Sequence, residues 1–142
     1  MNILLIEDEG DWLTVFQTGL EQKNHTVTGV ANLLYAEELL CGQAKGKPYD
    51  VIFLDLYMSI EDLPEEYHEY ALDTFAGWAF YEKVMPPVLH DRTIFLTAFG
   101  DELERKLKAE DPKARRKLNV LVKKGENTIE NALRIAEKIM RK

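Results

Sequence analysis

Hydrophobic and polar positions along the chain alternate between two rhythms. Five short apolar runs, "NILLI" at 2–6, "TVTGVA" at 26–31, "DVIFL" at 50–54, "TIFLTA" at 93–98 and "NVLV" at 119–122, have the length and composition of strands. Between them apolar residues recur at helical spacing: Trp12, Val15, Phe16 and Leu20; Leu34, Ala36, Leu39 and Leu40; Trp78, Phe80, Tyr81 and Val84; Leu103 and Leu107. A last amphipathic stretch, Ile129, Ala132, Leu133, Ala136, Ile139 and Met140, carries Lys138, Arg141 and Lys142 near its C-terminus, where cations suit the helix dipole. Strand and helix alternating five times predicts repeated βαβ units. The expected class is α/β, a doubly wound parallel sheet with helices on both faces and right-handed crossovers. The second run, weaker in apolar character and holding Gly29, suits an edge position.

Two segments break the rhythm. After the third run, "SIEDLPEEYHEYALDTFAG" delays the third helix, which is expected to start at Gly77. Residues 60–74 read as an acidic insertion with a short helix of its own, Asp62 as its N-cap and Pro64 in its first turn. In "AEDPKARRKLN", Pro112 is expected to end one helix and start another.

Composition narrows the picture. A chain of 142 residues suits one domain spanning 1–142. With 18 basic and 25 acidic residues the net charge is −7, which argues against a general binder of nucleic acid or anionic membranes. No basic n-region with an apolar h-region opens the chain, and no 18-residue apolar run occurs, so the expected compartment is the cytosol, without membrane insertion. Cys41 in "AEELLCGQA" is predicted to be a buried structural thiol beside leucines. Trp78 and Tyr81 are predicted to be core, and His25, His68 and His90 to be loop or surface residues.

The chemistry lies in the residues just past each strand, because doubly wound sheets bind ligands at the carboxyl ends of their strands. The first run delivers Glu7, Asp8 and Glu9, the third Asp55, the fourth Thr97 and the fifth Lys123 and Lys124. In "DVIFLDLYM" the Asp55 carboxylate interrupts an apolar run, a place where a lone charge costs several kcal/mol unless compensated. Carboxylates a few ångströms apart repel, so the set makes sense around a hard divalent cation with oxygen ligands, Mg²⁺ fitting best. Lys123 would offset the remaining charge, the Thr97 hydroxyl would donate to a phosphoryl oxygen, and Asp55 would be the nucleophile. Each residue alone has an ordinary explanation; the conjunction at four strand ends does not.

These pieces, "ILLIEDE", "GKPYDVIFLDLYM", "TIFLTA" and "LVKK" in this order, resemble the receiver domain of two-component response regulators over essentially the whole chain. The resemblance implies a flavodoxin-like sheet of order 2-1-3-4-5. It matches Asp55 to the phosphoacceptor, Glu7 and Asp8 to the acids that bind Mg²⁺, and Tyr57 to the position whose backbone carbonyl completes the metal shell. Thr97 matches the switch hydroxyl and Lys123 the motif lysine, with Lys124 beside it as the alternative. It implies a phosphoryl group received from a sensor histidine kinase or histidine phosphotransfer protein, and a population shift that changes binding to a downstream protein target. It implies no enzyme beyond self-phosphorylation and autodephosphorylation.

The chain also departs from the family pattern. Lys124 stands where proline usually follows the lysine, Val120 replaces the switch aromatic, Ser59 replaces a proline, and Gly77 matches a family glycine displaced by the insertion. These departures leave a receiver-like binding module that takes no phosphate as the alternative. A phosphatase with an aspartate nucleophile is a further one, although Tyr57 stands where its general acid belongs. Residues 60–74, beside Asp55, are expected either merely to cap the sheet edge, or to select the phosphodonor or shield the acyl phosphate from water.

Overall fold

The computed structural model describes residues 1–41, 48–98, 105, 118–122 and 127–141. Five strands, β1 (Asn2–Ile6), β2 (Thr26–Val30), β3 (Val51–Asp55), β4 (Thr93–Thr97) and β5 (Asn119–Val122), form one sheet of order β2-β1-β3-β4-β5. Every pairing is parallel, with Ile6 opposite Val30 and Leu54, and Asp55 opposite Leu96. All five residues of β3 and of β4 are buried, the consequence of helices covering both faces. β2 takes the edge position, as its sequence suggests.

Strand periodicity sorts the core into two layers. Ile3, Leu5, Phe53, Ile94 and Leu96 face α1 (Gly10–Glu21) and α5 (Thr128–Met140), meeting Phe16, Leu20, Ala132 and Ala136. Leu4, Ile6, Ile52, Leu54 and Phe95 face the other way, toward Leu33 and Ala36 of α2 (Leu33–Cys41) and a thick aromatic layer contributed by residues 75–81. Trp78 and Tyr81 are both buried there, stacked at 5.1 Å and each in contact with Phe95.

The segment after β3 folds as two 3₁₀ turns, Ile60–Asp62 and Glu65–Tyr67, and then α3 (His68–Asp73). The short helix exists, but Asp62 does not cap it. Ser59 caps the first turn, its hydroxyl accepting from the Glu61 amide at 3.3 Å. Pro64 forces Leu63 into extended backbone (φ −90°, ψ 152°), so no helix can run through this point and α3 begins four residues later. Leu63 and Ala71 pin the segment to the core, and the His68 Nε2 to Leu63 carbonyl contact of 2.9 Å ties its two halves. Thr74 Oγ1 donates to the Tyr70 carbonyl at 2.7 Å, and Trp78 Nε1 donates to the Tyr70 hydroxyl at 2.8 Å.

The third helix expected from the sequence is α4 (Ala76–Ala79), one residue earlier than Gly77, and it widens into a π-turn over Phe80–Val84. Pro86 and Pro87 then end it, and a 3₁₀ stretch, Pro87–Arg92, leads into β4. His90 serves this corner structurally, its Nε2 lying 2.7 Å from the Tyr81 carbonyl and its ring stacked on Tyr81. Cys41 is exposed, not buried, because as the last residue of α2 it lies off the face that buries Leu33 and Ala36; its Sγ lies 3.6 Å from the Val84 carbonyl. Partial burial of the thiol, then the nearby Glu37 carboxylate, push its pKa up, which disfavours the reactive thiolate. The helix expected around Leu103 and Leu107 and the break at Pro112 lie outside the described residues.

A Cβ on Gly77 would sit 2.8 Å from Leu56 Cα and closer still to the Asp55 carbonyl oxygen, both backbone atoms that cannot move aside. Gly77→Ala is expected to cost at least about 2 kcal/mol in urea unfolding, beyond the usual effect of adding a methyl. At the other end of the sheet, His25 accepts from the Met1 ammonium at 2.9 Å. Burial, then that ammonium, lower its pKa, with Glu137 opposing. The unfolded histidine binds a proton more readily than the folded one, so this contribution to stability is complete above about pH 6.5 and is lost as pH falls from there toward the folded pKa. His25→Gln should flatten that part of the stability–pH curve.

Candidate functional site

The order of the sheet reverses between β1 and β3, so the chain ends of these two neighbours open onto one crevice. Glu7 continues β1 by one residue, its amide donating to the Val30 carbonyl at 3.0 Å, and its side chain is fully buried. Asp8 comes next, on the exposed rim. Glu9 then stands at the N-cap of α1 without a side-chain cap bond, and Asp11 lies in the first helical turn, where acids suit the dipole. These two acids have an ordinary helical explanation that Glu7, inside the sheet, does not share.

Asp55 is the last residue of β3 and is 1% exposed. Pairing with β4 runs one step past it, the Leu56 amide donating to the Leu96 carbonyl at 3.1 Å. The Tyr57 amide turns back and donates to Asp55 Oδ1 at 3.0 Å, a local turn that fixes the carboxylate. One carboxylate oxygen from each of Glu7, Asp8 and Asp55 lies within 4.8 Å of the others. This is an all-oxygen set from hard, anionic donors with one member open to solvent, and it suits Mg²⁺, which takes few carboxylates and keeps waters.

Thr97 closes β4, fully buried, one residue beyond the partner of Asp55 and opposite Val122 in register. Lys123, the next residue after Val122, lies outside the described residues, as does Lys124. Tyr57 is 40% exposed, and its ring stands edge-on against Phe75, with centroids 5.3 Å apart. Thus Glu7, Asp8 and Asp55 are brought together, Tyr57 is bonded to Asp55, and Thr97 sits on the same edge one strand away. His25, His68 and His90 stand elsewhere, each engaged with a neighbour of its own.

Gly77, matched in the sequence only as a displaced family glycine, has a close-packing role at this site, and Phe75 escaped the reading of the sequence. Gly77 donates its amide to the Leu56 carbonyl at 3.1 Å and lets α4 press directly on the backbone of Asp55. Phe75 supports Tyr57. An aromatic and a glycine flanking one alanine in "FAG" were the available signal, but only the close approach in space gives it meaning. A concavity of about 660 Å³ lies at the opposite end of the sheet between Asp50, His90, Arg92, Asn119 and Met140. It opens at the amino ends of β3, β4 and β5, away from the acids and from the strand ends where doubly wound sheets bind ligands.

No family model and no curated protein matches the sequence. Solved structures do. The receiver domain of a Francisella response regulator is 19% identical with a TM-score of 0.65, the match covering 99% of this chain and 97% of that one. A two-component response regulator from Clostridium difficile is 18% identical with a TM-score of 0.65, covering 100% and 97%. The receiver domain of a sensor histidine kinase from Pseudomonas aeruginosa, solved with a magnesium ion coordinated in its active-site cleft, is 22% identical with a TM-score of 0.62, covering 99% and 98%. Likeness of this extent, together with the strand order, shows the fold: the chain adopts the flavodoxin-like receiver fold of response regulators.

Proposed function

We propose that the chain is a receiver that accepts a phosphoryl group on Asp55 from a phosphohistidine, with Mg²⁺ held by Glu7, Asp8, Asp55 and the Tyr57 backbone carbonyl. The observation that carries this reading is the gathering of Glu7, Asp8 and Asp55 at the reversal point of the sheet. Magnesium, when bound, supplies positive charge to the phosphoryl oxygens as bonding to phosphorus changes.

The protein's own part is positional. A carboxylate oxygen of Asp55 attacks phosphorus, the phosphorus–nitrogen bond breaks, and the imidazole nitrogen leaves with the electron pair and takes up a proton. The Tyr57 amide, by its bond to Oδ1, orients the carboxylate for that attack. Thr97 is assigned to hydrogen-bond one phosphoryl oxygen and Lys123 to pair with another. Transfer needs little more from a protein than such positioning and charge neutralisation.

The donor is a sensor histidine kinase or a histidine phosphotransfer protein, and the product state is read by a downstream protein target. Activity is confined to the chain's own phosphorylation and dephosphorylation. No nucleic acid is assigned as a direct partner. Among the described residues no helix is long and apolar enough to cross a membrane, and the working compartment is the cytoplasm.

Incubation with Mg²⁺ and a small phosphodonor should add one phosphoryl group to the intact mass. Asp55→Asn should abolish the addition, and Asp8→Asn should slow it at least about tenfold through weaker metal binding. An unchanged mass with wild-type protein would leave the non-phosphorylated binding module as the better reading.

A further inference from the structure

The cavity of about 660 Å³ at the amino ends of β3, β4 and β5 has the size of a small-molecule pocket, and the chemistry at Asp55 makes no use of it. Two large apolar side chains left open to water both line it: Val88, from the 3₁₀ stretch before β4, is 76% exposed, and Met140, from the end of α5, is 48% exposed. Beneath them Tyr81 and Phe95 are buried core. Tyr81 is already stacked on Trp78 and on His90, so the open apolar surface for a bound ring is that of Val88 and Met140, the latter a soft side chain that suits an aromatic partner.

The polar lining has a definite hydrogen-bonding sense. His90 Nε2 lies 2.7 Å from the Tyr81 carbonyl, which can only accept, so the ring proton sits on Nε2 and Nδ1 of the neutral ring offers a lone pair. Asp50 uses Oδ2 to accept from the Asn2 amide at 2.7 Å and has its other oxygen in reserve. Among the described residues, the Asp91 carboxylate and the Asn119 side chain take part in no hydrogen bond or ion pair. Arg92 spends one N–H on the Tyr49 carbonyl at 3.1 Å. A bound anion would therefore meet the carboxylates of Asp50 and Asp91 against the one guanidinium of Arg92, on a chain of net charge −7. A ligand rich in N–H donors meets acceptors instead. Asn119 presents a donor and an acceptor side by side, the pattern that pairs with an amino group next to a ring nitrogen.

We propose that this cavity binds a flat heteroaromatic amine, neutral or singly cationic and of roughly nucleoside size. Its ring rests against Val88 and Met140, its N–H groups donate to Asp50 and Asp91, and Asn119 reads the amino group together with the ring nitrogen. The site lies at the opposite end of the strands from Glu7, Asp8 and Asp55, and it stands whether or not Asp55 accepts phosphate.

Titration of the full chain, labelled with nitrogen-15, tests the assignment with four probes: adenosine, cytidine, adenosine 5′-monophosphate and purine riboside, which is adenosine without its amino group. Adenosine or cytidine should shift the amides of residues 88–92, 118–119 and 139–140 saturably, with those of residues 6–9 and 55–57 unmoved. The added phosphate should weaken adenosine binding at least about tenfold at low salt, and loss of the amino group should weaken it about as much. Asp91→Asn and Val88→Ser change exposed positions and should keep the wild-type unfolding temperature while weakening adenosine binding about three- to tenfold. The proposal is overturned if neither nucleoside gives saturable shifts, if the shifts fall at the carboxyl ends of the strands, if the monophosphate binds as tightly as adenosine, or if both variants bind like wild type.

Discussion

Carboxylates crowded at the ends of two adjacent buried strands are the constraint on which the rest depends. Glu7 and Asp55 are both sequestered from water, with Asp8 at their rim and one oxygen of each within 4.8 Å. Such a set is held together by the fold against mutual repulsion, and on the proposed reading a divalent cation turns that repulsion into binding. The topology makes the crowding unavoidable. Because the sheet order reverses between β1 and β3, the residues just past Ile6 and the residue that ends β3 must face one crevice.

The surrounding structure stiffens that crevice. The Leu56 amide carries the β3–β4 ladder one step past the acid, the Tyr57 amide fixes one of its oxygens, and Gly77 lets a helix start on the same backbone. A side chain at residue 77 would separate α4 from β3 and loosen both. The segment from Ser59 to Thr74 adds a second layer of support, because its own buried residues, Leu63 and Ala71, join the core that holds Phe75 and Trp78.

Much of this was legible in the sequence. The five strands fall where apolar runs of strand length end, and the edge position of β2 was announced by Gly29 and a weaker run. The gathering of acids came from strand ends alone, since fold class dictates which edge they share. What resisted reading was local competition. Pro64 moved the start of the short helix by constraining Leu63, so that Asp62 falls in the 3₁₀ turn capped by Ser59 and Tyr67 stands before α3 without a side-chain cap bond. Cys41 turned outward because a helix's last residue need not share the face of its leucines. Contacts such as Tyr57 with Phe75 depend on how the 17 residues between them fold back, which periodicity does not encode. Lys123 and Lys124 lie outside the described residues, so their part rests on the motif alone.

The central claim is that repulsion among Glu7, Asp8 and Asp55 is the binding energy of a divalent cation held in reserve. Thermal unfolding of wild type and Asp8→Asn, each titrated with Mg²⁺, tests it most directly. The account predicts that without the ion Asp8→Asn is the more stable of the two. Wild-type protein should gain roughly 1.4 kcal/mol at a magnesium concentration about ten times its Kd, with little gain in the variant. Equal responses to the ion, or a variant less stable than wild type in its absence, would contradict it.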